Sequence, residues 1–106
     1  MYNKHMDTEN IIKQSRARFD HNQAKQILRE KYEAKMLFAY NGGMWRAGPE
    51  LLMTIAVCPD ENSVLIDEYG NPVQINTLEL ELLAQQRWQE QMNGWLNEFQ
   101  ELSRKR

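Results

Sequence analysis

Trp88, Met92, Trp95, Phe99 and Leu102 follow one another at steps of four, three, four and three. That spacing is a heptad seam, and it sets two tryptophans and a phenylalanine on one stripe of one helix. A row of such large side chains must be covered, so the fold is organised around the last third of the chain, Asn76 to Leu102. Asn76 or Thr77 caps this helix, with Glu79 at capping-box spacing from Asn76. Leu78, Leu80, Leu82 and Leu83 widen the apolar surface of its first turns. Gly94 costs about 1 kcal/mol relative to Ala inside a helix, and it leaves room for a closely packed partner between the two tryptophans. The helix runs out in Ser103 and the basic triplet Arg104, Lys105, Arg106, which suits the negative end of its dipole.

A second long helix precedes it. After a tail of seven residues, Asp7 or Thr8 is a suitable N-cap, and Gly and Pro are absent from there to Tyr40. Ile12, Phe19, Ile27, Ala34 and Leu37 share one side at helical spacing, but the stripe is thin between residues 13 and 26. That half reads as a solvated arm or as a surface covered by another chain. Asn41-Gly42-Gly43 ends the helix, because these residues tolerate left-handed backbone. Met44-Trp45 then falls in a loop. Gly48-Pro49 opens a short helix to Cys58, with a strand as the alternative because Thr54, Ile55 and Val57 are β-branched. Residues 63–75 predict a β-hairpin turning at Gly70-Asn71, with Pro72 beside the turn. The expected fold is a single domain of mainly α class. It has two long antiparallel helices, 8–40 and 77–104, with a short helix 49–58 and a β-hairpin 63–75 between them.

Composition sets limits on function. Charged residues at 26% and apolar ones at 42% give a globular balance, yet 106 residues allow only a thin core. Cys58 is the single cysteine, which excludes an internal disulfide. No signal peptide opens the chain and no apolar run approaches ~18 residues, so the expectation is an intracellular protein without a membrane span. The net charge of −2 is unevenly spread: residues 8–40 carry +3, residues 41–75 and 76–103 carry −4 each, and the C-terminal triplet restores +3.

No motif carries chemistry. Asp60, Glu61 and Asn62 do not continue into an EF-hand, because Val64 breaks the alternation of oxygen ligands. With Asp67 and Glu68 they read as solvated acidic loops. Cys58 follows an apolar run and reads as a buried structural thiol rather than a nucleophile paired with His5 or His21. Gly42-Gly43 lacks the surroundings of a phosphate loop. The expectation is a non-enzymatic protein with no cofactor and no metal site.

Two surfaces can bind macromolecules. Leu80, Leu82, Trp88, Met92, Trp95 and Phe99 form the candidate partner-binding set, with Phe19 and Ile27 facing them from the same chain or from a neighbour. The function that follows is a structural or assembly protein binding other chains, or further copies of itself, through its long helices. The alternative is a nucleic-acid-binding module. It would use Arg18, Lys25 and Arg29, which lie on one helical face at steps of seven and four, together with Arg104, Lys105 and Arg106. The stretch from Val64 to Ile75, running into a Trp-bearing helix, resembles small accessory and virion proteins of tailed bacteriophages over roughly the last 45 residues. The resemblance implies a structural or assembly role, with a place in the virion.

Overall fold

A computed structural model describes residues 4–104, and their side chains from Thr8 onward. Lys105 and Arg106 lie outside the described residues. The chain runs α1 (Lys4–Lys35), β1 (Leu37–Tyr40), β2 (Gly43–Arg46), α2 (Pro49–Ala56), β3 (Asn62–Ile66), β4 (Pro72–Asn76) and α3 (Thr77–Arg104). Two long antiparallel helices thus enclose a short helix and small antiparallel sheets, as the sequence predicts. The molecule measures 75 × 25 × 21 Å. Its radius of gyration is 21.3 Å, against about 13 Å for a compact domain of this length.

Both boundaries of α1 differ from expectation. It begins at Lys4, so Asp7 and Thr8 lie within its first turns instead of capping it. It ends at Lys35 and not at Tyr40, because Leu37–Tyr40 pairs with Gly43–Arg46 as an additional hairpin. Tyr40 faces Gly43 in that register, leaving Asn41-Gly42 as a two-residue turn with φ of 52° and 82°. Two consecutive positive φ values are the type I′ geometry that matches the right-handed twist of paired strands, and Asn-Gly is the sequence that adopts it most readily. Met44-Trp45 is therefore strand and not loop.

Trp45 shows why this hairpin forms. Its indole is 2% exposed, and its Nε1–H donates to the Tyr40 carbonyl at 2.9 Å, so burial leaves no unpaired donor. Trp45 joins Met36, Phe38, Ala47, Ile55, Ile75, Leu80 and Ala84 in one core at the end of the molecule where α1 stops. This α/β head holds nearly all the buried surface. Helix α2 follows the expected start, with Pro49 at its first turn and Glu50 behind it. It stops at Ala56, and Cys58 is half-buried, with its thiol on the Thr54 carbonyl at 3.4 Å.

The β3–β4 hairpin is present, but its connection is the five-residue loop 67–71 in place of a two-residue turn at Gly70-Asn71. Asp67 organises it. One carboxylate oxygen accepts the backbone N–H groups of Tyr69 and Asn71, at 3.0 and 2.9 Å. The other reaches across to the Met44 N–H in β2 at 3.0 Å, and Glu68 N–H returns a bond to the Met44 carbonyl. One buried carboxylate thus ties the two hairpins together. Hydrogen bonds from Asn71 first, then from Met44 and Tyr69, hold its pKa below the ordinary carboxylate value against the opposing effect of burial.

Asn76 caps α3, accepting the Glu79 N–H at 3.0 Å. The return bond of the capping box is relayed. The Tyr40 hydroxyl donates to Glu79 Oε2 at 2.6 Å and accepts the Asn76 N–H at 3.4 Å, so a strand of the first hairpin completes the cap.

Candidate functional site

The six candidate partner-binding residues of α3 do not form one surface. Leu80 is 0% exposed and belongs to the head core with Ala84. Trp88 and Met92 are half-buried against that core, and Trp95 is half-buried against α1. Phe99 is 40% exposed, near the open end of the helix pair. Leu82 is 56% exposed and lies off the seam. At ~100° per residue it shares the outer face of α3 with Leu78 and Leu96, which are also exposed.

The seam is covered from α1 over a short distance only. Tyr32 stacks on Trp95 with centroids 6.1 Å apart and planes 4° from parallel. A Cβ added at Gly94 would lie 3.0 Å from the Tyr32 ring edge and hydroxyl. The space at Gly94 is thus filled by a side chain of the same chain and not by a partner's backbone. Burial, and then the Glu98 carboxylate, raise the Tyr32 pKa. Lys31 donates to Glu98 at 2.7 Å, a bond that raises the lysine pKa and lowers that of the glutamate. Toward the open end, Ala24, Leu28 and Leu102 border a groove of about 460 Å³ between the helices.

Beyond Ala24, α1 continues without α3. Every side chain from Thr8 to Asp20 is exposed, including Ile11, Ile12 and Phe19, the last at 67%. Ile27 is exposed as well, so neither it nor Phe19 covers the tryptophan seam from within the chain. The residues of α1 turned toward α3 include Ala24, Leu28, Lys31, Tyr32 and Lys35, with Ile27 at the edge of the groove. The wheel positions of Ile12 and Phe19 are almost diametrically opposite to Leu28, with Ile11 about 100° round from it. The apolar stripe of α1 changes sides, and this is why it looked weak when traced as one line.

The basic candidates are exposed and share a face. Arg18, Lys25 and Arg29 make no ion pair among the described residues. The antiparallel register sets Arg104 near their level, where it pairs with Glu101 at 2.8 Å. Lys105 and Arg106 fall outside the described residues.

Sequence reasoning missed one site. A cleft of about 1020 Å³ opens in the head between α2, β3 and the tryptophans of α3. Its apolar walls include Met53, Val64, Leu65, Ile66, Trp88 and Trp95, and Glu33, Glu50 and Glu68 stand at its rim beside Arg46. Val64 and Ile66 point outward because β3 alternates, with Ser63 and Leu65 turned inward. The legible signal was the run Val64, Leu65, Ile66, since three consecutive apolar residues on a strand cannot all face one side. The partners that shape the cleft come from four separate elements.

Among the described residues no cluster of His, Cys, Asp or Glu could hold a metal ion, and no helix is long and apolar enough to cross a membrane. No family model matches the chain, and neither a curated protein nor a solved structure is significantly similar to it.

Proposed function

We propose that this chain is a non-enzymatic structural or assembly protein that binds other protein chains through its long helices. The carrying observation is the apolar surface left in water on helix faces that the rest of the chain does not reach. Ile11, Ile12 and Phe19 line one such face of α1, and Leu78, Leu82 and Leu96 line another on α3. Single exposed apolar residues are ordinary, whereas rows at helical spacing are what partner helices bury. The resemblance to small accessory and virion proteins of tailed bacteriophages supports placing that assembly role in a virion.

Capture of partners from the native source at increasing salt tests the reading. Apolar contacts predict capture that persists at high ionic strength and is lost with Leu82→Asp or Phe19→Asp. A nucleic-acid module is the second reading, favoured by Arg18, Lys25 and Arg29 standing unpaired on one face. It predicts binding that falls steeply with salt, and whose salt slope falls with each arginine or lysine removed. Capture of nucleic acid alone with that behaviour would replace the first reading with the second.

A further inference from the structure

Two apolar surfaces of this chain lie apart along the length of a 75 Å molecule and do not meet within it. One is the stripe Ile11, Ile12, Phe19 on the arm of α1, and the other is the head cleft walled by Met53, Val64, Ile66, Trp88 and Trp95. The arm is a straight continuation of the helix that carries the head, so no hinge returns it to its own cleft.

We propose that each surface is covered by the other in a second copy of the chain. The α1 arm of one protomer lies in the head cleft of its partner, and the exchange is reciprocal across a two-fold axis. The proposal rests on the reading of the chain as an interaction protein and names the partner.

Charge selects this occupant. Arg16 and Arg18 flank the arm stripe at roughly 80° to either side. Both are exposed, and neither has an ion partner among the described residues. At the cleft rim Glu68 is already paired with Arg46 at 3.8 Å, which leaves Glu33 and Glu50 as the rim's free acidic charge. A stripe with basic flanks therefore meets an apolar cleft with an acidic rim, and such complementarity fixes orientation and register. Pairing arm against arm would instead set Arg16 and Arg18 against their own copies.

Shape agrees. With the arm and the cleft apart along the molecule, two chains lying side by side and head to tail bring both arms onto both clefts at once. This is the closed, self-complementary arrangement of a two-fold dimer. At about 1020 Å³ the cleft stands at the upper end of the usual ~300–1,000 Å³ of ligand pockets. Its exposed walls suit side chains projecting from a helix.

Sedimentation of the full chain across micromolar to submillimolar concentration tests the proposal. The wild type is expected to form a reversible dimer that persists at high salt, loosened only by the screening of its charged rim. Phe19→Asp and Ile66→Asp change exposed positions and should leave the far-UV CD spectrum unchanged. Each should raise the dimer dissociation constant by about 100-fold or more, because two symmetric contacts are lost. Mixing the two variants in equal amounts should restore a dimer, since the intact arm of one enters the intact cleft of the other. Arg16→Glu with Arg18→Glu, which leaves the apolar stripe whole, should also weaken association.

A strict monomer overturns the proposal, as does a dimer indifferent to both single substitutions. Loss of dimer with Phe19→Asp but not with Ile66→Asp would mean arm-on-arm pairing, and loss with both but no recovery on mixing would mean that arm and cleft do not meet; either result overturns it. None of these outcomes touches the broader reading. That reading fails separately, if salt-resistant capture of protein partners is absent.

Discussion

In the head, Trp45, Ile75 and Leu80 are almost completely removed from water, whereas in the arm every side chain from Thr8 to Asp20 is exposed. The head is held by contacts between residues far apart in the chain. Asp67 bonds Met44, Tyr40 links Asn76 to Glu79, and Leu80 meets the core from α3. The arm rests largely on its own helical hydrogen bonds and the propensity of Gln, Arg, Lys and Ala. A helix of this kind is marginal alone and persists as the extension of a turn already fixed by packing. The chain thus joins one region stabilised by tertiary structure to another whose apolar stripe stays in water. Loss of the arm's helix and loss of the head's fold are then separate events with different free energies.

Removing the centre of the head is the strongest way to break that contrast. Trp45→Ala should cost about 3–5 kcal/mol and lower the urea midpoint of the whole head. If stability fell by less than ~1 kcal/mol, the indole would not be the anchor described here.

Asp67→Asn should come next. The carboxamide can still accept from Tyr69 and Asn71, but its NH₂ cannot accept from Met44, so the link between the hairpins is lost at neutral pH. A Tm lower by several degrees is expected. The pH dependence has a definite sign. The folded-state pKa is depressed, so the carboxylate's contribution is complete above its unfolded value of ~3.9 and is lost as pH falls through the lower folded value. The Tm gap between wild type and variant should therefore narrow as pH is lowered through that range. A gap constant with pH would show that the charge of Asp67 is immaterial.

Gly94→Ala sharpens the comparison where arm and head merge. Helix propensity favours Ala by about 1 kcal/mol, but the added Cβ meets the buried, stacked Tyr32 ring at 3.0 Å. A net loss of about 1–2 kcal/mol is expected, turning into a gain of up to ~1 kcal/mol in a Tyr32→Ala background. The same sign in both backgrounds would refute the close contact.

The smallest effect belongs to the arm. Ile12→Ala should change the unfolding free energy of the dilute protein by no more than ~0.5 kcal/mol. Amides of residues 8–20 should exchange with solvent far faster than those of Trp45, Ile75 and Leu80. A large loss of stability in dilute solution would mean that the arm is not free of the head.

Much of the architecture was legible in order along the chain. Pro49 marked the start of α2, Asn76 and Glu79 marked the cap of α3, and the β-forming run Val64, Leu65, Ile66 marked β3. These are local signals, read within a few residues. The candidate site was less legible. The heptad from Trp88 to Leu102 is real, but Leu82 lies off it and Leu80 is buried with the head. Which sides of α3 are covered depends on α2 and the hairpins, and no periodicity within α3 reports on those.

The amino-acid sequence by itself determined two long helices, an acidic middle and a second hairpin, because propensity, caps and turn residues act over a few residues. Only tertiary structure decided the use of Asn41-Gly42. Positive φ serves a helix end and a hairpin turn equally, and the burial of Trp45 between strands selects the turn. It also made Asp67 a tie between hairpins instead of a solvated acid, since Met44 is 23 residues away. The filling of Gly94 by Tyr32 was decided in the same way. In each case a locally degenerate signal was resolved by a partner distant in sequence, whose position exists only once the chain has folded.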